Sequence, residues 1–300
     1  MDRVNNLKQA LPYIQRHRGR TFVIKLGGRL LQDRHALLRL AEDVTLLHNV
    51  GIHVVIVHGG GPQMNAMAEQ MNIPQRVVAG RRVTSDETLD LAKMLFRGKL
   101  NLDIVSALRE YGTLAVGLSG GDAGLVEAVK RPVVTVKDAD GSSQEVDFGH
   151  VGDVVQVNPQ VLQTLTAAGF VPVVCSLAST TKGAILNVNA DTIAERIATG
   201  IGADKLFLLT DRDGLLEDPE DPSSLISYCD AREIEGYIAR GVIAGGMKPK
   251  IQSALRALSK GVRRIHIINA FRDSAILLEV FTNEGCGTLI VQDKEASIAP

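Results

Sequence analysis

Short apolar runs alternate with longer amphipathic segments along most of this chain. Runs such as Thr21–Leu26 (TFVIKL) and His53–Val57 (HVVIV) are apolar almost throughout, which is typical of strands buried on both faces of a parallel sheet. Alternation with helices implies a mostly parallel sheet that is covered on both sides. The pattern predicts helices at 34–48, 62–71, 86–99, 190–200 and 248–260, and further strands at 114–118, 133–136, 171–177, 206–210, 264–268 and 288–291.

The middle of the chain departs from this alternation. Residues 125–148 are rich in β-branched residues and turn dipeptides, which predicts a small antiparallel insertion. We expect two lobes to join around the apolar strand at Gly169–Leu177. Residues 19–175 would then form an amino-terminal lobe and residues 176–300 a carboxy-terminal lobe.

The first residues predict an amphipathic helix ahead of the first strand. Apolar residues recur at helical spacing over residues 3–16, and Pro12 is expected to kink or break this helix. Its apolar face packs either on the chain's own domain or against another copy, so residues 1–18 are a candidate oligomerisation element. The segment carries several charges and no apolar stretch of the signal-peptide kind.

Composition places the chain among ordinary globular proteins. Of its 300 residues, 45% are hydrophobic and 22% charged, which is apolar enough to bury a core. The net charge of −1 shows no excess of basic residues of the kind that binds nucleic acid or an anionic membrane. Cys175, Cys229 and Cys286 lack metal-ligand spacing, so we expect reduced thiols and a cytoplasmic location.

Glycine residues cluster at the ends of the first two predicted strands. The first strand ends in Gly27-Gly28 and the second in Gly59-Gly60-Gly61, after which a helix is predicted. In open α/β sheets, ligands bind beyond the carboxyl ends of the strands, and the start of the following helix carries partial positive charge. Either cluster alone is compatible with a plain tight turn, but the two together favour a phosphate cradle.

Sequence motifs argue against several other classes. No G-x-x-x-x-G-K-[ST] segment is present and no G-x-G-x-x-G follows the first strand, so Walker-type and dinucleotide sites are not supported. Paired Cys/His clusters are lacking, so no zinc site is expected. Gly117–Gly121 matches G-x-S-x-G, but a nucleophile elbow needs a helix directly after it, whereas a β-rich insertion is predicted here. A serine hydrolase is therefore a minor alternative.

Charged residues at strand and helix ends are candidates for chemistry. Lys25 interrupts an apolar strand, where a charge must be solvated or paired. Asp191 lies in the first turn of a predicted helix, and Lys250 follows a glycine pair at the start of another, where a lysine opposes the helix dipole. Arg82 offers a planar fork that suits bidentate binding of a carboxylate.

Each of these sites also has a structural alternative. Lys25 is compatible with a strand-end lysine that reaches solvent, and Arg82 with a solvated surface arginine. Asn189 suits plain N-capping, and the segment Thr210–Gly214 suits a turn as well as a ribose or base edge. Two nearby cations are interpreted as solvated, namely Lys248 and Arg29.

The chain resembles the amino acid kinase family over about residues 21–292. Eight segments carry the resemblance in order: VIKLGG, VIVHGGGPQ, RVTSDETL, AVGLSGGD, LNVNADTIA, LLTDRDGLL, GGMKPKI and the ending HII…LLEVFTNEGCGT. Within the family it resembles the branch that phosphorylates the γ-carboxylate of N-acetyl-L-glutamate with ATP in arginine biosynthesis. The resemblance implies a three-layer αβα sandwich with a mainly parallel open central sheet, with the acyl amino acid in the amino-terminal lobe and ATP in the other.

The resemblance also implies roles for residues at matching positions. Lys25 and Lys250 would approach the transferring phosphoryl group from opposite lobes, and Asp191 would hold both ammonium groups. Backbone N–H groups of Gly28, Gly60 and Gly61 would complete the catalytic set. The implied substrate-binding residues are Arg82, Asn187, Gly60 and Gly61, and the implied nucleotide-binding residues are Gly27, Thr210, Asp211 and Lys250. Mg²⁺ would bridge the β- and γ-phosphates with few direct protein ligands, so no protein metal site is expected.

The amino-terminal helix resembles an extra helix of the arginine-inhibited members of this branch, which form hexamers by interlacing such helices. Those members bind L-arginine near the helix, and a guanidinium needs a carboxylate of the kind that Glu279 can supply. The resemblance implies a hexamer and feedback inhibition by L-arginine. Some members also bind a PII signalling protein, which makes such a protein a candidate partner. The matching arginine-site positions are Tyr13, Lys205, His266, Glu279 and Gly287.

Two other functions stay open at this point. A sibling kinase would act on N-acetyl-aminoadipate or on glutamate, since a difference of one methylene is hard to read from sequence. A catalytically silent sensor would bind arginine or nucleotide without turnover. The presence of Lys25, Lys250 and Asp191 argues against the sensor.

Overall fold

A computed structural model describes residues 2–78, 81–137, 143–218, 220–283 and 285–294. In chain order its helices are α1 (Asp2–His17), α2 (Arg34–Asn49), α3 (Gly61–Gln70), α4 (Asp86–Ala92), α5 (Asn101–Glu110), α6 (Gln160–Ala167), α7 (Ala190–Gly200), α8 (Ala231–Ala239), α9 (Met247–Ser259) and α10 (Ala275–Phe281). A π-helical segment, Lys93–Leu100, joins α4 to α5. The strands are β1 (Thr21–Leu26), β2 (His53–His58), β3 (Val77–Val78), β4 (Arg81–Arg82), β5 (Ala115–Ser119), β6 (Val126–Lys130), β7 (Val134–Lys137), β8 (Ser143–Val146), β9 (Gly152–Val157), β10 (Val171–Cys175), β11 (Leu177–Ser179), β12 (Ile185–Asn187), β13 (Lys205–Thr210), β14 (Tyr228–Asp230), β15 (Arg264–Asn269) and β16 (Thr288–Val291).

The central sheet has the strand order β14-β16-β15-β13-β1-β2-β10-β5. Neighbouring strands from β15 to β5 are all parallel, whereas β16 runs antiparallel to β15 and β14 runs parallel to β16. One sheet therefore passes through both predicted lobes. It places the carboxyl ends of β1, β2 and β13 side by side, where a ligand site of an open α/β sheet is expected.

Helices cover both faces of this sheet. Alternate residues of β1 point to opposite sides, so Phe22 and Ile24 are buried against α2, α5 and α10. Val23 is buried on the other face, against α6, α7, α8 and α9. This is the predicted three-layer αβα sandwich with a mainly parallel central sheet, and that prediction is confirmed.

A second, smaller sheet holds the predicted insertion. Its strand order is β12-β11-β6-β9, with β6 antiparallel to β9, and β7 and β8 form a separate antiparallel hairpin. The antiparallel character expected for residues 125–148 is confirmed for the described part of that range. The hairpin tip, residues 138–142, lies outside the described residues.

Several helices were not predicted from the pattern. The helical range expected to end at residue 99 continues through the π-helical segment into α5, and Leu100, Ile104 and Leu108 lie at α-helical spacing on one buried face. The helices α6, α8 and α10 have only 8, 9 and 7 residues, too few for a clear helical period.

Of the two effects expected of Pro12, a kink or a break, the break was wrong, because α1 runs through Pro12 without interruption. Proline removes one backbone N–H donor and so leaves the carbonyl of Lys8 without its helical partner. Lys8 and Pro12 are both on the exposed side, where water can satisfy that carbonyl.

Two further findings bear on the environment of the chain. All three cysteines are buried and unbridged, as expected for reduced thiols. In the described part of the chain, no helix has the length and apolar content needed to cross a bilayer.

Candidate active site

The two glycine turns meet at the carboxyl end of the sheet. A Cβ on Gly28 would overlap the ring of Pro62 at the start of α3. A Cβ on Gly59 would lie 3.2 Å from the Cβ of Ala190, the first residue of α7. Gly28 therefore has no space for a side chain because the ring of Pro62 occupies it, and Gly59 packs closely against the start of α7.

Lys25 and Lys250 share one oxygen of Asp191. The Nζ atom of Lys25 on β1 lies 2.8 Å from Asp191 Oδ1, and that of Lys250 on α9 lies 3.1 Å from the same atom. Asn189 holds the start of α7 in place, since its side chain accepts hydrogen bonds from the backbone N–H groups of Asp191 and Thr192. The three residues predicted to act on the phosphoryl group are thus brought together.

The electrostatics of this cluster favour an anion. Burial alone would raise the pKa of Asp191, but the ammonium groups of Lys25 and Lys250 outweigh it and hold that pKa well below its usual range. Burial and the nearby Lys25 lower the pKa of Lys250, while Asp191 opposes that shift. Two ammonium groups against one carboxylate leave a net positive charge, and each side chain is less than 15% exposed. A multiply charged anion would offset this excess.

One cavity of about 560 Å³ opens beside the lysine pair. Its walls include Gly27, Gly28, Thr210, Asp211, Met247, Lys250 and Phe271, from the ends of β1, β13 and β15 and the start of α9. Every residue predicted to bind nucleotide lines it. Arg29, expected to be solvated, is 70% exposed but forms an ion pair with Asp211 at this cavity.

A second cavity of about 880 Å³ contains the predicted substrate residues Arg82 and Asn187. Arg82 donates from Nη2 to Asn65 Oδ1, while its Nη1 is buried without a protein partner and burial lowers its pKa. Asn187 Nδ2 donates to Thr84 Oγ1 at 3.2 Å. Gly246 lines both cavities, so they meet at the start of α9. A buried guanidinium nitrogen without a partner suits an acceptor from a ligand.

The remaining predicted glycines lie at the start of α3. Gly60 is held between Leu100 and Phe96, which leave no room for a Cβ, whereas Gly61 has open space on its Cβ side. They follow Gly59, where an added Cβ would lie 3.2 Å from Ala190, the residue before Asp191.

Sequence reasoning missed three side chains that support these turns. Gln63 Nε2 donates to the carbonyl oxygen of Gly28 at 2.7 Å and so links the two glycine turns. Asn65 accepts from Arg82, and His58 contacts the carbonyl of Gly59. All three lie in or beside the segment HGGGPQMN. The segment follows a buried strand, and this was the signal that the sequence offered. No pattern indicated which groups these three side chains would contact.

Two minor interpretations are resolved. Lys248 is exposed, as expected for a solvated charge at a helix start. Ser119 donates from Oγ to Asp122 Oδ2 at 2.8 Å. Only a short 3₁₀ turn, Asp122–Gly124, lies between Ser119 and β6. The hydrolase alternative therefore lacks the helix that a nucleophile elbow requires.

The predicted arginine-site residues form a buried polar chain at the opposite end of β13. Lys205 Nζ lies 3.3 Å from His266 Nε2, and His266 Nδ1 lies 2.8 Å from Glu279 Oε1. Burial, followed by the charge of Lys205, lowers the pKa of His266 to about 4, so the imidazole is neutral at pH 7. The neutral ring donates to Glu279 and accepts from Lys205.

The other two predicted members lie beside this chain. Tyr13 on α1 donates to Asn283 Oδ1 at 2.5 Å, just beyond α10. Gly287 packs so closely on Ile267 and Ile268 of β15 that a Cβ would overlap them. The structure thus brings all five predicted residues to one region, between α1, α10 and the sheet.

A mainly parallel α/β sandwich with a buried lysine pair beside one of two adjoining cavities has the features of an enzyme that transfers phosphoryl groups, and this chain is a kinase. It belongs to the amino acid kinase family, because the sequence model of that family matches residues 20–269. The family predicted from the eight motif segments is confirmed.

Relatives of known name match nearly the full chain. It is 43% identical to an acetylglutamate kinase of Myxococcus xanthus, over 97% of this chain and 95% of that protein. It is 45% identical to an acetylglutamate kinase of Methanocaldococcus jannaschii, over 98% of this chain and 97% of that protein.

Solved structures share the fold. An N-acetylglutamate synthase from Neisseria gonorrhoeae, complexed with coenzyme A and N-acetyl-glutamate, has a TM-score of 0.82 and 29% identity, over 97% of this chain and 63% of the synthase. The same synthase complexed with coenzyme A and L-arginine has a TM-score of 0.80 and 26% identity, over 97% of this chain and 65% of that one.

Proposed function

We propose that this chain transfers the γ-phosphoryl group of ATP to the γ-carboxylate of N-acetyl-L-glutamate, giving N-acetyl-L-glutamyl 5-phosphate and ADP in arginine biosynthesis. The observation that carries the proposal is the Lys25–Asp191–Lys250 cluster, in which Lys250 lines a glycine-walled cavity. That cavity shares Gly246 with the arginine-containing one. Curated acetylglutamate kinases that are 41–46% identical over nearly the whole chain support the choice of substrate.

The chemistry is a direct transfer between two anions. A lone pair on the γ-carboxylate oxygen forms a bond to the γ-phosphorus, while the bond from that phosphorus to the β,γ-bridging oxygen breaks and its electrons leave with ADP. A carboxylate is already a nucleophile, so no base is needed and no proton moves. Repulsion between the anions is the main barrier, and catalysis comes from positioning and charge neutralisation.

Each residue of the cluster has a distinct task in this proposal. Lys25 and Lys250 offset the negative charge that develops on the transferring phosphoryl group. Asp191 binds both ammonium groups and so fixes their spacing. The N–H groups of Gly28, Gly60 and Gly61 complete the set by donating to the transferring and accepting oxygens.

The two substrates occupy the two cavities. Arg82 of the lobe formed by residues 19–175 and Asn187 of the lobe formed by residues 176–300 bind the α-carboxylate and N-acetyl region of the acceptor. Thr210, Asp211 and Lys250 of the second lobe bind the nucleotide, and Gly27 of the first lobe completes that cavity. The unpartnered Nη1 of Arg82 supports this assignment.

The residues present fit a nucleotide with its magnesium ion. Asp191 is already bound by two ammonium groups, and no group of three or more metal-ligating side chains occurs among the described residues. Mg²⁺ would therefore be held chiefly by phosphate oxygens, and Asp211, the carboxylate that lines the nucleotide cavity, would have to release Arg29 before it could bind the ion. When bound, it would neutralise phosphate charge.

An assay of ADP release tests the proposal. The chain is incubated with ATP, Mg²⁺ and N-acetyl-L-glutamate, N-acetyl-L-aminoadipate or L-glutamate in parallel. We expect kcat/KM to be highest for N-acetyl-L-glutamate. A higher value for either alternative would make the chain a sibling kinase, and no turnover with any acceptor would favour the silent sensor.

We also propose that L-arginine inhibits the reaction by binding at the Lys205–His266–Glu279 chain, in a hexamer held by α1. The buried carboxylate of Glu279 beside α1 supports this, as does the arginine-bound synthase of the same fold. Glu279 also accepts from the backbone N–H of Cys286 at 2.8 Å. An incoming guanidinium would bind Glu279 beside or in place of His266, and because Glu279 belongs to α10, binding there would act on that helix.

A further inference from the structure

His58 contacts the backbone of the glycine turn that the proposed mechanism uses. It is the last residue of β2 and is fully buried. Its Nδ1 lies 2.9 Å from the carbonyl oxygen of Gly59. Its Nε2 lies 3.1 Å from Nδ2 of Asn101, and the same Nδ2 donates to the carbonyl oxygen of Val173 at 2.9 Å.

These partners fix which ring nitrogen carries the proton. The carbonyl of Val173 can only accept, so the Asn101 atom facing it is the amide nitrogen, a donor. That nitrogen also faces Nε2 of His58, which must therefore accept. The carbonyl of Gly59 can only accept as well, so the proton lies on Nδ1. Burial lowers the pKa of His58 to about 4, so the ring stays neutral at pH 7.

The contact with Gly59 controls the direction of the next N–H group. The carbonyl of Gly59 and the N–H of Gly60 belong to one peptide unit, and the described residues contain no cis peptide. In a trans peptide these two groups point in opposite directions. A peptide between two glycines has few steric restraints of its own. Leu100 and Phe96 pack against Gly60, and the hydrogen bond from His58 is the polar contact that opposes rotation of the Gly59 carbonyl.

We infer that His58, with its proton placed by Asn101, is a positioning residue that aims the N–H of Gly60 at the accepting carboxylate oxygen. The inference rests on the proposed function, in which Gly60 donates to that oxygen. His58 does not touch substrate; it acts through the peptide. Preorganised donors matter because they cost no reorganisation when charge develops in the transition state.

Two amide substitutions separate this role from plain packing. In His58→Asn the short side chain places an amide N–H near the position of Nδ1, so it can still donate to Gly59. In His58→Gln the longer side chain reaches the position of Nε2 and can bond to Asn101 but not to Gly59. Both remove the ring, so a packing role predicts similar losses. Thr45→Val is the control, because it removes a buried hydrogen bond to Thr113 remote from the turn.

We expect His58→Gln to lower kcat by about 10- to 100-fold. A misdirected N–H of Gly60 gives up much of the transition-state stabilisation that would be lost if the donor were removed. The KM for ATP should change little. His58→Asn should recover most of the lost kcat, and Thr45→Val should lower the melting temperature without changing kcat. Equal losses of kcat in the two His58 variants, in proportion to their loss of stability, would overturn the inference.

A ¹⁵N NMR spectrum of the imidazole in the wild-type chain gives an independent test. We expect the Nδ1–H form of His58 at pH 7, and an Nε2–H form would overturn the inference even if neither variant folds. If the wild type shows no phosphoryl transfer, the proposed function fails. The tautomer still decides whether His58 holds the Gly59 carbonyl.

Discussion

Lys25 and Lys250 bind the same carboxylate oxygen, although one lies on the central strand β1 and the other in the first turn of α9. Two ammonium groups repel each other and stay close here because Asp191 lies between them. In the proposed reaction, a phosphoryl group that enters from the cavity lined by Lys250 would meet both charges at once. The contact would then be the point at which both predicted lobes act on a single reacting group.

Replacing either lysine by alanine should remove transition-state stabilisation. We expect Lys25→Ala and Lys250→Ala each to lose about 2–4 kcal/mol, or roughly 30- to 1000-fold in kcat/KM, because each ammonium group neutralises charge that develops during transfer. Steady-state kinetics measure the loss. Lys248→Ala, two residues before Lys250 and exposed, is the matched control and should stay near the wild-type rate. Near-normal turnover of either active-site variant would reject its catalytic role.

Asp43 on α2 should make stability depend on pH. It is 7% exposed, and burial, followed by the charge of Glu42, raises its pKa to about 7 despite a hydrogen bond from the backbone of Ile276. The folded carboxyl therefore keeps its proton at pH values where the unfolded one, with its ordinary pKa near 4, has lost it. The contribution of Asp43 to the free energy of unfolding is therefore largest below about pH 4, and it is lost as the pH rises to about 7.

The size of this effect is at most about 4 kcal/mol, since each pKa unit corresponds to about 1.4 kcal/mol. Asp43→Asn cannot ionise, so its stability relative to wild type should be greater at pH 8 than at pH 5. Urea unfolding at the two pH values measures the difference, with the exposed Glu69→Gln as control. Parallel pH curves for wild type and Asp43→Asn would contradict the assignment.

The loss of stability should depend on which side of the ion pairs around Glu195 of α7 is removed, the buried carboxylate or its cationic partners on and just after α9. The side chain of Glu195 is fully buried, with Arg256 Nε at 3.3 Å and Lys260 Nζ at 3.4 Å, while both cations are more than a third exposed. We expect Glu195→Gln to cost about 1–2 kcal/mol, because the freed cations turn to solvent. The double variant Arg256→Ala, Lys260→Ala should cost about 3 kcal/mol or more, because it strands a buried charge.

Chemical denaturation measures both costs. Adding Glu195→Gln to the double variant should recover part of the lost stability, since the stranded charge is then removed. Arg196, whose Nε lies 3.8 Å from Glu195, remains as a weak partner and limits the recovery. A double variant that is as stable as Glu195→Gln would show that burial of this charge is already compensated elsewhere.

The proposed regulation depends on α1 and on Glu279. A chain lacking residues 1–18 should lose the hexamer in sedimentation experiments and lose inhibition by L-arginine, while still transferring phosphoryl groups. Glu279→Gln should weaken inhibition by at least about tenfold, because a charge-assisted pair to a guanidinium is lost. Exposed Glu235→Gln on α8 is the control. Unchanged oligomer size and unchanged inhibition in the truncated chain would contradict the proposal.

The sequence determined the layers of the fold and the bounds of two strands, whereas the strand predicted at 171–177 divides into β10 and β11 in different sheets. Apolar alternation with helices gave β1 and β16 at their observed bounds, because a strand buried on both faces has a composition that depends little on its partners. The glycine turns could also be located, because glycine recurs where neighbouring groups leave no space for a side chain. Ordered motif segments identified the family and nominated the two lysines and Asp191.

Only the tertiary structure decided which of these residues meet. Strand order is set by packing between elements distant in sequence, and it is this order that puts β1 beside β13 and α7 beneath α9. The contacts of His58 with Asn101, of Glu195 with Lys260 and of Arg29 with Asp211 have no local pattern, because each joins side chains from separate elements. Composition and periodicity record how buried a position is, whereas hydrogen bonds and ion pairs depend on distances that exist only once the chain has folded.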